Sequence, residues 1–187
     1  MATVRSEKRT QIALDVPVFV ENDANGAALA ELSFGRRAGQ SDLCLLFLDI
    51  GVGAGMIFDR KIFHGSDGLA GEIGHLCLDP DQNRQAEERG ILETQLGRDS
   101  VLAAYRQAGG KARNFEVFLR DLKKEKPLAQ KTVRRWREWL TLAIGNLADL
   151  SIRHASCWRE LCLHFFLSWK RTLNDVWRRG TFRRSKI

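Results

Sequence analysis

The chain has 187 residues, of which 44% are apolar, with four cysteines and a formal net charge of +7. This length fits one domain or slightly more, and the apolar content is ordinary for a packed globular protein. There is no run of about 20 apolar residues, which argues against a membrane-spanning helix, and the charged N-terminal stretch lacks the apolar segment of a signal peptide. We therefore expect a cytoplasmic protein without a membrane partner.

The positive charge is confined to the last part of the chain. Residues 151–187 hold nine Lys/Arg and two Asp/Glu, whereas the remainder holds 21 residues of each sign. The basic average therefore does not indicate that the globular part binds nucleic acid. The cysteines, at positions 44, 77, 157 and 162, form no close C-x-x-C pair and are interpreted as reduced thiols, with Cys44 and Cys77 in apolar, core-like runs.

The first predicted elements alternate between strand and helix. Residues 1–15 form an N-terminal remnant, of which 1–11 are polar and expected to be frayed. Val16–Val20 is apolar and β-branched, which predicts a buried strand. Asp23–Phe34 is rich in Ala and Leu and ends before Gly35, which predicts a helix. Leu43–Ile50 predicts a second buried strand.

A hairpin and a helical region follow. Met56–Phe58 and Lys61–Phe63 flank Asp59-Arg60, a pattern typical of a tight β-hairpin. Residues 79–92 are polar and predicted to be irregular. Three helices are predicted after them: Asp99–Ala108, Phe115–Lys124 and Pro127–Leu150. The last helix carries an apolar stripe that we assign to the core, made by Trp136, Trp139, Leu140, Ala143, Ile144 and Leu147.

The character of the sequence changes after Leu150. Residues 151–187 have no clean period and end in a basic run. One interpretation is a basic amphipathic segment for a membrane or a nucleic acid. The interpretation that we favour is a divergent tail, such as a shifted reading frame. A helix in an α/β layer requires a following strand, and this tail is not expected to supply one.

Polar side chains follow the first predicted strand directly. Glu21, Asn22, Asp23 and Asn25 stand where the strand ends and the helix begins. Ligands bind at the carboxyl ends of strands in α/β sheets, and a helix N-terminus directs N–H groups at them. A carboxylate here can act as a general base for a substrate hydroxyl. The alternative is that Asp23 only caps the helix, which does not explain Glu21 and Asn22.

Two further segments could carry chemistry. Gly51, Gly53 and Gly55 follow the second strand, and alternate glycines suit either a phosphate contact or a plain hairpin bend. Glu72 and His75 are three residues apart, and on a helical turn they would share a face able to bind sugar hydroxyls or a metal. Glu93 adds a carboxylate 18 residues after His75.

These segments together carry a family resemblance. ENDANGAALAE, the glycine-rich strand end, GLAGEIGHLCLDPD and RGILE occur in an order and spacing that resemble the ROK family of bacterial sugar kinases and sugar-responsive repressors. The resemblance covers residues 16–150, which we treat as an incomplete sugar-binding domain. It implies an α/β fold: a partial actin-like ATPase (ribonuclease-H-like) fold, mainly the second lobe, with a helical insertion.

The resemblance also implies roles for individual residues. Asp23 matches the catalytic base that deprotonates the sugar hydroxyl. Asn22, Asp23, Glu72, His75 and Glu93 match the sugar-binding positions. Gly51, Gly53 and Gly55 match a phosphate-binding loop, here interpreted as vestigial.

Three departures from the family pattern change the expected function. The first lobe, with its Asp-x-Gly-x-Thr turn for ATP, is expected to be absent before Val16. Asp49-Ile50-Gly51 replaces the kinases' Gly-Thr-Gly, and a second negative charge about 4 Å from a phosphate costs on the order of 4 kcal/mol at an effective dielectric near 20. The cysteine-rich zinc segment has no thiol: in one register its positions hold Arg84, Ala86 and Ile91, and in the other Gln85 and Glu87.

We therefore expect the sugar-binding domain of a ROK-type transcriptional regulator without kinase turnover. The alternative is the remnant of a sugar kinase of the glucokinase or N-acetylmannosamine kinase type, with Asp23 as the general base. The expected partner is a small-molecule sugar, with DNA bound only through an absent N-terminal domain and a homodimer as a further option. No cofactor is expected, zinc is predicted to be lost, and ATP with Mg²⁺ applies only to the kinase alternative.

Overall fold

The computed structural model describes residues 2–35, 38–77, 91–151 and 161–165. Its elements, in chain order, are α1 (Ala2–Leu14), α2 (Asp23–Phe34), β1 (Leu43–Leu48), β2 (Val52–Phe58), β3 (Lys61–Ile62), a 3₁₀ turn (Ile73–His75), α3 (Ile91–Leu96), α4 (Arg98–Gln107), α5 (Phe115–Lys123), α6 (Pro127–Ser151) and β4 (Leu161–Phe165).

The strands form one four-stranded sheet in the order β3-β2-β1-β4. β1 and β2 are antiparallel, with Leu43 opposite Ile57 and Leu48 opposite Val52. The predicted hairpin between β2 and β3 is confirmed: Asp59 and Arg60 have φ values of 49° and 63°, as a two-residue turn of this hand requires.

The sheet corrects one expectation about the tail. β4 lies within residues 151–187 and pairs parallel to β1, with Cys44 opposite Leu161. The prediction that the tail supplies no strand is therefore wrong. A run of only five residues in a basic segment gives a weak periodic signal in the sequence. In the structure, this strand returns the chain from α6 to the sheet.

Strand alternation gives the sheet two apolar faces. Leu43, Leu45 and Ile57 pack with α2 on one face. Cys44, Leu46 and Leu48 pack with the helices α3–α6 on the other. Because both faces of β1 are covered, its sequence is continuously apolar rather than alternating. The strand therefore lies at the centre of a three-layer core.

Helix α2 has the predicted bounds, with a different cap from the one considered. Asn22 is the N-cap residue, and its Oδ1 accepts hydrogen bonds from the N–H groups of Ala24 at 2.9 Å and Asn25 at 3.4 Å. Such a cap stabilises a helix by about 1 kcal/mol. The suggestion that Asp23 caps the helix is corrected, and Asp23 lies in its first turn.

The predicted apolar stripe of α6 is confirmed as core. Trp136, Leu140 and Leu147 are buried, as are Ala143 and Ile144, while Trp139 is partly buried. The indole Nε1 of Trp136 donates a hydrogen bond to the carbonyl oxygen of Leu96 at 3.1 Å, which satisfies a carbonyl at the end of α3. α6 begins at Pro127, as predicted.

A buried polar contact joins α4 and α5. The Tyr105 hydroxyl donates to Asp121 Oδ2 at 2.9 Å, and Lys126 Nζ lies 2.6 Å from Asp121 Oδ1. Hydrogen bonds from Lys126 and Tyr105 hold the pKa of Asp121 below its ordinary value. Burial, together with the Asp121 carboxylate, raises the pKa of Tyr105.

Several local predictions are wrong. Residues 2–11 lie in α1 and are not frayed. Val16–Val20 is not a strand, and the side chain of Phe19 is 88% exposed, because no strand pairs with this segment within the described residues. Cys44 is buried as expected, but Cys77 is exposed. Residues 91 and 92, predicted to be irregular, begin α3.

Candidate functional site

A cavity of about 300 Å³ lies beside the β1–β2 turn and the N-terminus of α2. It is lined by Asn22, Asp23, Phe47, Asp49, Ile50, Gly51, Val52, Gly53, Ala70, Gly71, Glu72 and Glu93. The lining therefore includes four of the five sugar-binding candidates and two of the three candidate glycines. His75 and Gly55 are not part of it.

The first wall of the cavity is the start of α2. Asp23 is exposed, and its Oδ1 accepts a hydrogen bond from the N–H of Ala24 at 2.8 Å. Asn22 uses its Oδ1 for the helix cap. Its Nδ2 group therefore has the capacity to donate to a ligand. An amide donor and a carboxylate acceptor stand side by side at this wall.

Glu93, in the first turn of α3, also lines the cavity. Its Oε2 accepts a hydrogen bond from the N–H of Val52 at 3.2 Å, which fixes the carboxylate against the start of β2. A Cβ built on Gly51 would lie 3.4 Å from this oxygen, and one on Gly74 would lie 3.3 Å from it. Small residues on both sides therefore make room for the Glu93 side chain.

Glu72 and His75 do not meet in the cavity. Both are exposed, and the turn between them is a single 3₁₀ turn, in which the N–H of His75 donates to the Glu72 carbonyl at 3.2 Å. Glu72 lines the cavity and His75 does not. A sugar contact by His75 stays a prediction.

The alternate glycines have a packing explanation. Residues 49–51 form the turn of the β1–β2 hairpin, the simpler of the two interpretations considered for this segment. Gly53 and Gly55 lie within β2, and a Cβ on Gly55 would lie 2.3 Å from the carbonyl oxygen of Ala24. Glycine at position 55 is therefore needed for α2 to pack on β2. Phosphate binding by Gly51, Gly53 and Gly55 stays a prediction.

Asp49 carries a compensated charge at the edge of the cavity. Its Oδ1 lies 3.2 Å from Arg98 Nη1, and its carbonyl accepts a hydrogen bond from the Arg98 N–H at 2.8 Å. The repulsion predicted between Asp49 and a phosphate applies to a carboxylate without a counterion. The ion pair with Arg98 reduces that repulsion.

Sequence reasoning missed a hydrogen-bond network that adjoins the cavity lining at Asn22. Glu21 Oε2 lies 2.8 Å from His64 Nε2, and Glu21 Oε1 accepts hydrogen bonds from Asn25 Nδ2 and the Asn22 N–H, both at 2.9 Å. Burial works to raise the pKa of Glu21, but the bonds from His64, Asn25 and Asn22 outweigh it and leave the pKa below its ordinary value. His64 lies 43 residues from Glu21 and in no motif, so only the polar ENDAN string could have pointed to half of this network.

A larger groove of about 620 Å³ lies between α4 and α6, lined by residues that include Val101, Ala104, Lys131, Arg135 and Trp139. None of the predicted site residues contributes to it.

No group of three potential metal-ligating side chains occurs within residues 2–35, 38–77, 91–151 and 161–165. Of the positions aligned with the family's zinc cysteines, only Ile91 is described, and it is a buried core residue. The other four lie outside the described residues, so the loss of zinc stays a prediction.

Among the described residues, no helix is long and apolar enough to cross a bilayer.

Comparison with known proteins decides the family. The sequence profile of the ROK family matches residues 7–153. The chain belongs to the ROK family. This confirms the resemblance based on the ENDANGAALAE and GLAGEIGH strings.

ROK relatives of both functional types are similar to this chain. A xylose repressor from Caldicellulosiruptor bescii is 46% identical over 68 residues, which cover 36% of this chain and 17% of the repressor. A glucokinase from Halalkalibacterium halodurans is 42% identical over 81 residues, which cover 42% of this chain and 24% of the kinase. Membership of the ROK family is therefore compatible with either a regulator or a kinase.

Solved ROK structures confirm the fold. A ROK glucokinase from Streptomyces griseus, crystallised with glucose and AMPPNP, superposes with a TM-score of 0.68 at 24% identity. The match covers 77% of this chain and 52% of that kinase. The predicted partial actin-like α/β fold is confirmed. The chain matches at most about half the length of these relatives.

Proposed function

We propose that this chain binds a sugar in the 300 Å³ cavity and serves as the effector-binding part of a ROK transcriptional regulator. The main supporting observation is that Asn22, Asp23, Glu72 and Glu93, from three separate parts of the chain, line the same cavity. Sites of this size with a few convergent polar groups are typical of small-molecule binding.

The chemistry of the lining suits a polyhydroxylated ligand. Carboxylates accept hydrogen bonds from hydroxyl groups, and charge-assisted bonds of this kind are roughly twice as strong as neutral ones. Asp23 and Glu93 both line the cavity, and Asn22 adds a donor for a ring or hydroxyl oxygen. Phe47 and Ile50 provide apolar contacts for the carbon face of a sugar.

The β1–β2 turn favours a regulator over a kinase. Asp49 stands where the family's kinases have a small residue, and although Arg98 compensates part of its charge, the pair keeps a carboxylate at the edge of the cavity. A regulator that binds the sugar without phosphorylating it needs no phosphate contact at this turn. DNA binding would be supplied by a part of the protein other than residues 16–150.

A sugar kinase is the second candidate, favoured by the presence of Asp23 and by the similarity to a glucokinase. In that case Asp23 would accept the proton of the sugar hydroxyl while the hydroxyl oxygen attacks the γ-phosphorus of ATP and ADP leaves. Asp23 is exposed at the start of α2, which is compatible with this role.

Calorimetric titration of the full chain with D-xylose, D-glucose and N-acetyl-D-mannosamine tests sugar binding. We expect at least one sugar to bind, and Asp23→Asn and Glu93→Gln to weaken its binding by about tenfold or more each, because the loss of one charge-assisted hydrogen bond costs about 1.5–3 kcal/mol. Glu116→Gln is the matched control, since Glu116 is an exposed acid in the first turn of α5.

Equal affinity in the wild type and in the Asp23→Asn, Glu93→Gln double variant would contradict the proposed site. ADP release from ATP in the presence of the bound sugar, lost in Asp23→Asn, would favour the kinase instead.

A further inference from the structure

Glu21 and His64 contact each other outside the cavity lining, with 2.8 Å between Oε2 and Nε2. We propose that these two residues form a clamp that holds the start of α2 and the loop carrying Glu72 in fixed relative positions. Both are therefore positioning residues for sugar binding. The inference rests on the proposed function and extends it to two residues outside the cavity lining.

The first half of the clamp fixes the start of α2. Glu21 Oε1 accepts hydrogen bonds from the N–H of Asn22 and from Nδ2 of Asn25. Asn25 is buried, so this contact ties the extended segment before α2 to a fixed point in the helix. The Glu21 carboxylate thereby orients the backbone that carries Asn22 and Asp23.

The second half fixes the loop that carries Glu72. The ring of His64 binds Glu21 at 2.8 Å, and the His64 carbonyl accepts a hydrogen bond from the N–H of Ala70 at 3.1 Å. One residue further on, the carbonyl of Gly71 accepts from the N–H of Ala54 in β2 at 2.8 Å. The loop of residues 64–71 is therefore anchored to β2 at one end and to Glu21 at the other.

The geometry of Gly71 makes the clamp important for the cavity. Gly71 has a φ of +91°, and a Cβ on it would lie 1.9 Å from the Ala54 carbonyl oxygen. Only glycine therefore fits at this position, where the loop joins the wall of the cavity. Ala70, Gly71 and Glu72 all line the cavity. At the other end of the loop, the N–H of Phe63 donates to the Met56 carbonyl of β2 at 2.8 Å, and the His64 ring joins the loop to Glu21, just before α2.

The exposure of the pair separates positioning from general stability. The side chains of His64 and Glu21 are 50% and 35% exposed. Exposed ion pairs contribute little to the free energy of unfolding. Removal of the clamp is therefore expected to affect the local geometry of the cavity more than the stability of the whole chain.

The test uses the full chain with D-xylose and D-glucose as probes and compares the wild type with Glu21→Gln, His64→Gln and the double variant. We expect each single variant to raise the Kd of the sugar that binds by about twofold to fivefold, with a Tm shift of no more than about 2 °C. The double variant should have a Kd no higher than that of the weaker-binding single variant, because both substitutions remove the same contact. His64→Lys places a cationic hydrogen-bond donor opposite Glu21 and should bind within about twofold of the wild type, while Glu116→Gln controls for loss of an exposed acid.

Hydrogen exchange of the Ala70 amide gives a second measurement that needs no sugar. We expect this amide to exchange faster in His64→Gln and Glu21→Gln than in the wild type, and the Ala54 amide to remain unchanged. Sugar binding of equal strength in all variants, or unchanged exchange at Ala70, would overturn the clamp and leave the proposed function intact. A wild-type chain that binds neither probe nor N-acetyl-D-mannosamine would overturn the proposed function, and with it the role of the clamp in sugar binding.

Discussion

Residues 16–20 and 43–48 are two short apolar segments with opposite surroundings. The second is β1, which pairs with β2 on one side and β4 on the other and buries Leu46 completely. The first has no strand partner within the described residues, and its Phe19 is 88% exposed. Both segments have the composition of a buried strand.

The difference between them lies in their neighbours. An isolated extended segment leaves its N–H and C=O groups to water, whereas a central strand satisfies them on both edges and buries both faces. Helix α2 covers one face of β1 and the α3–α6 layer covers the other. An apolar run therefore becomes a strand only where the rest of the chain supplies both ladders and both layers.

The comparison predicts a large difference between matched truncations. Leu46→Ala should lower the free energy of unfolding by about 2–5 kcal/mol, because it leaves a cavity between fully packed layers. Phe19→Ala should change it by no more than about 0.5 kcal/mol, because its ring is exposed. Urea unfolding followed by circular dichroism measures both. A loss for Phe19→Ala close to that for Leu46→Ala would break the comparison.

A pair of glycine substitutions tests how α2 covers the sheet. Gly55→Ala should destabilise the chain by about 1–3 kcal/mol, because the new Cβ would lie 2.3 Å from the Ala24 carbonyl oxygen and 2.5 Å from Ala28 Cβ. Gly26→Ala is the control within α2, where no atom lies within 4 Å of the new Cβ. It should stabilise the helix by up to about 1 kcal/mol. Thermal unfolding of both variants measures the difference, and destabilisation by both would mean that helix geometry rather than the contact with β2 is responsible.

A smaller, pH-dependent effect extends the comparison to the helical layer. The folded-state pKa of Asp121 is below its ordinary 3.8, so its contribution to stability is present above that value and is lost as the pH falls through the folded pKa. The pKa of Tyr105 is above its ordinary 10.0, so its contribution is lost as the pH rises through the raised pKa. The free energy of unfolding, measured with urea from pH 2 to 11, should fall less steeply at acid pH in Asp121→Asn than in the wild type. It should fall less steeply at alkaline pH in Tyr105→Phe. A pH dependence identical to that of the wild type in both variants would show that this contact does not stabilise the layer.

Four of the six helices, α2 and α4–α6, were the most predictable part of the fold. The α2 bounds and the start of α6 at Pro127 agree with the prediction, because helix periodicity and stop signals are local. The strand at 161–165 was missed because its place in the sheet comes from pairing with β1, a segment far earlier in the chain. The role of Gly55 could not be read from the sequence, since a close approach of helix and strand leaves the same glycine pattern as a phosphate loop.

The candidate site was predicted in part. Asn22, Asp23, Glu72 and Glu93 were chosen from motifs and line one cavity, whereas His75 lies outside its lining. A three-residue spacing places two side chains on one face only in a regular helical turn, and here Glu72 precedes a single 3₁₀ turn. The contact between Glu21 and His64 joins residues 43 positions apart and has no local signal.

The sequence by itself determined the family, the helices α2 and α4–α6 and most of the polar residues at the cavity, because motifs, caps and periodicity depend on residues close together in the chain. Only the tertiary structure decided which apolar run became a strand, where the tail joins the sheet, and how Glu21 meets His64. These outcomes depend on backbone ladders, layer packing and side-chain hydrogen bonds between distant segments. Their free energies arise only when those segments are brought together.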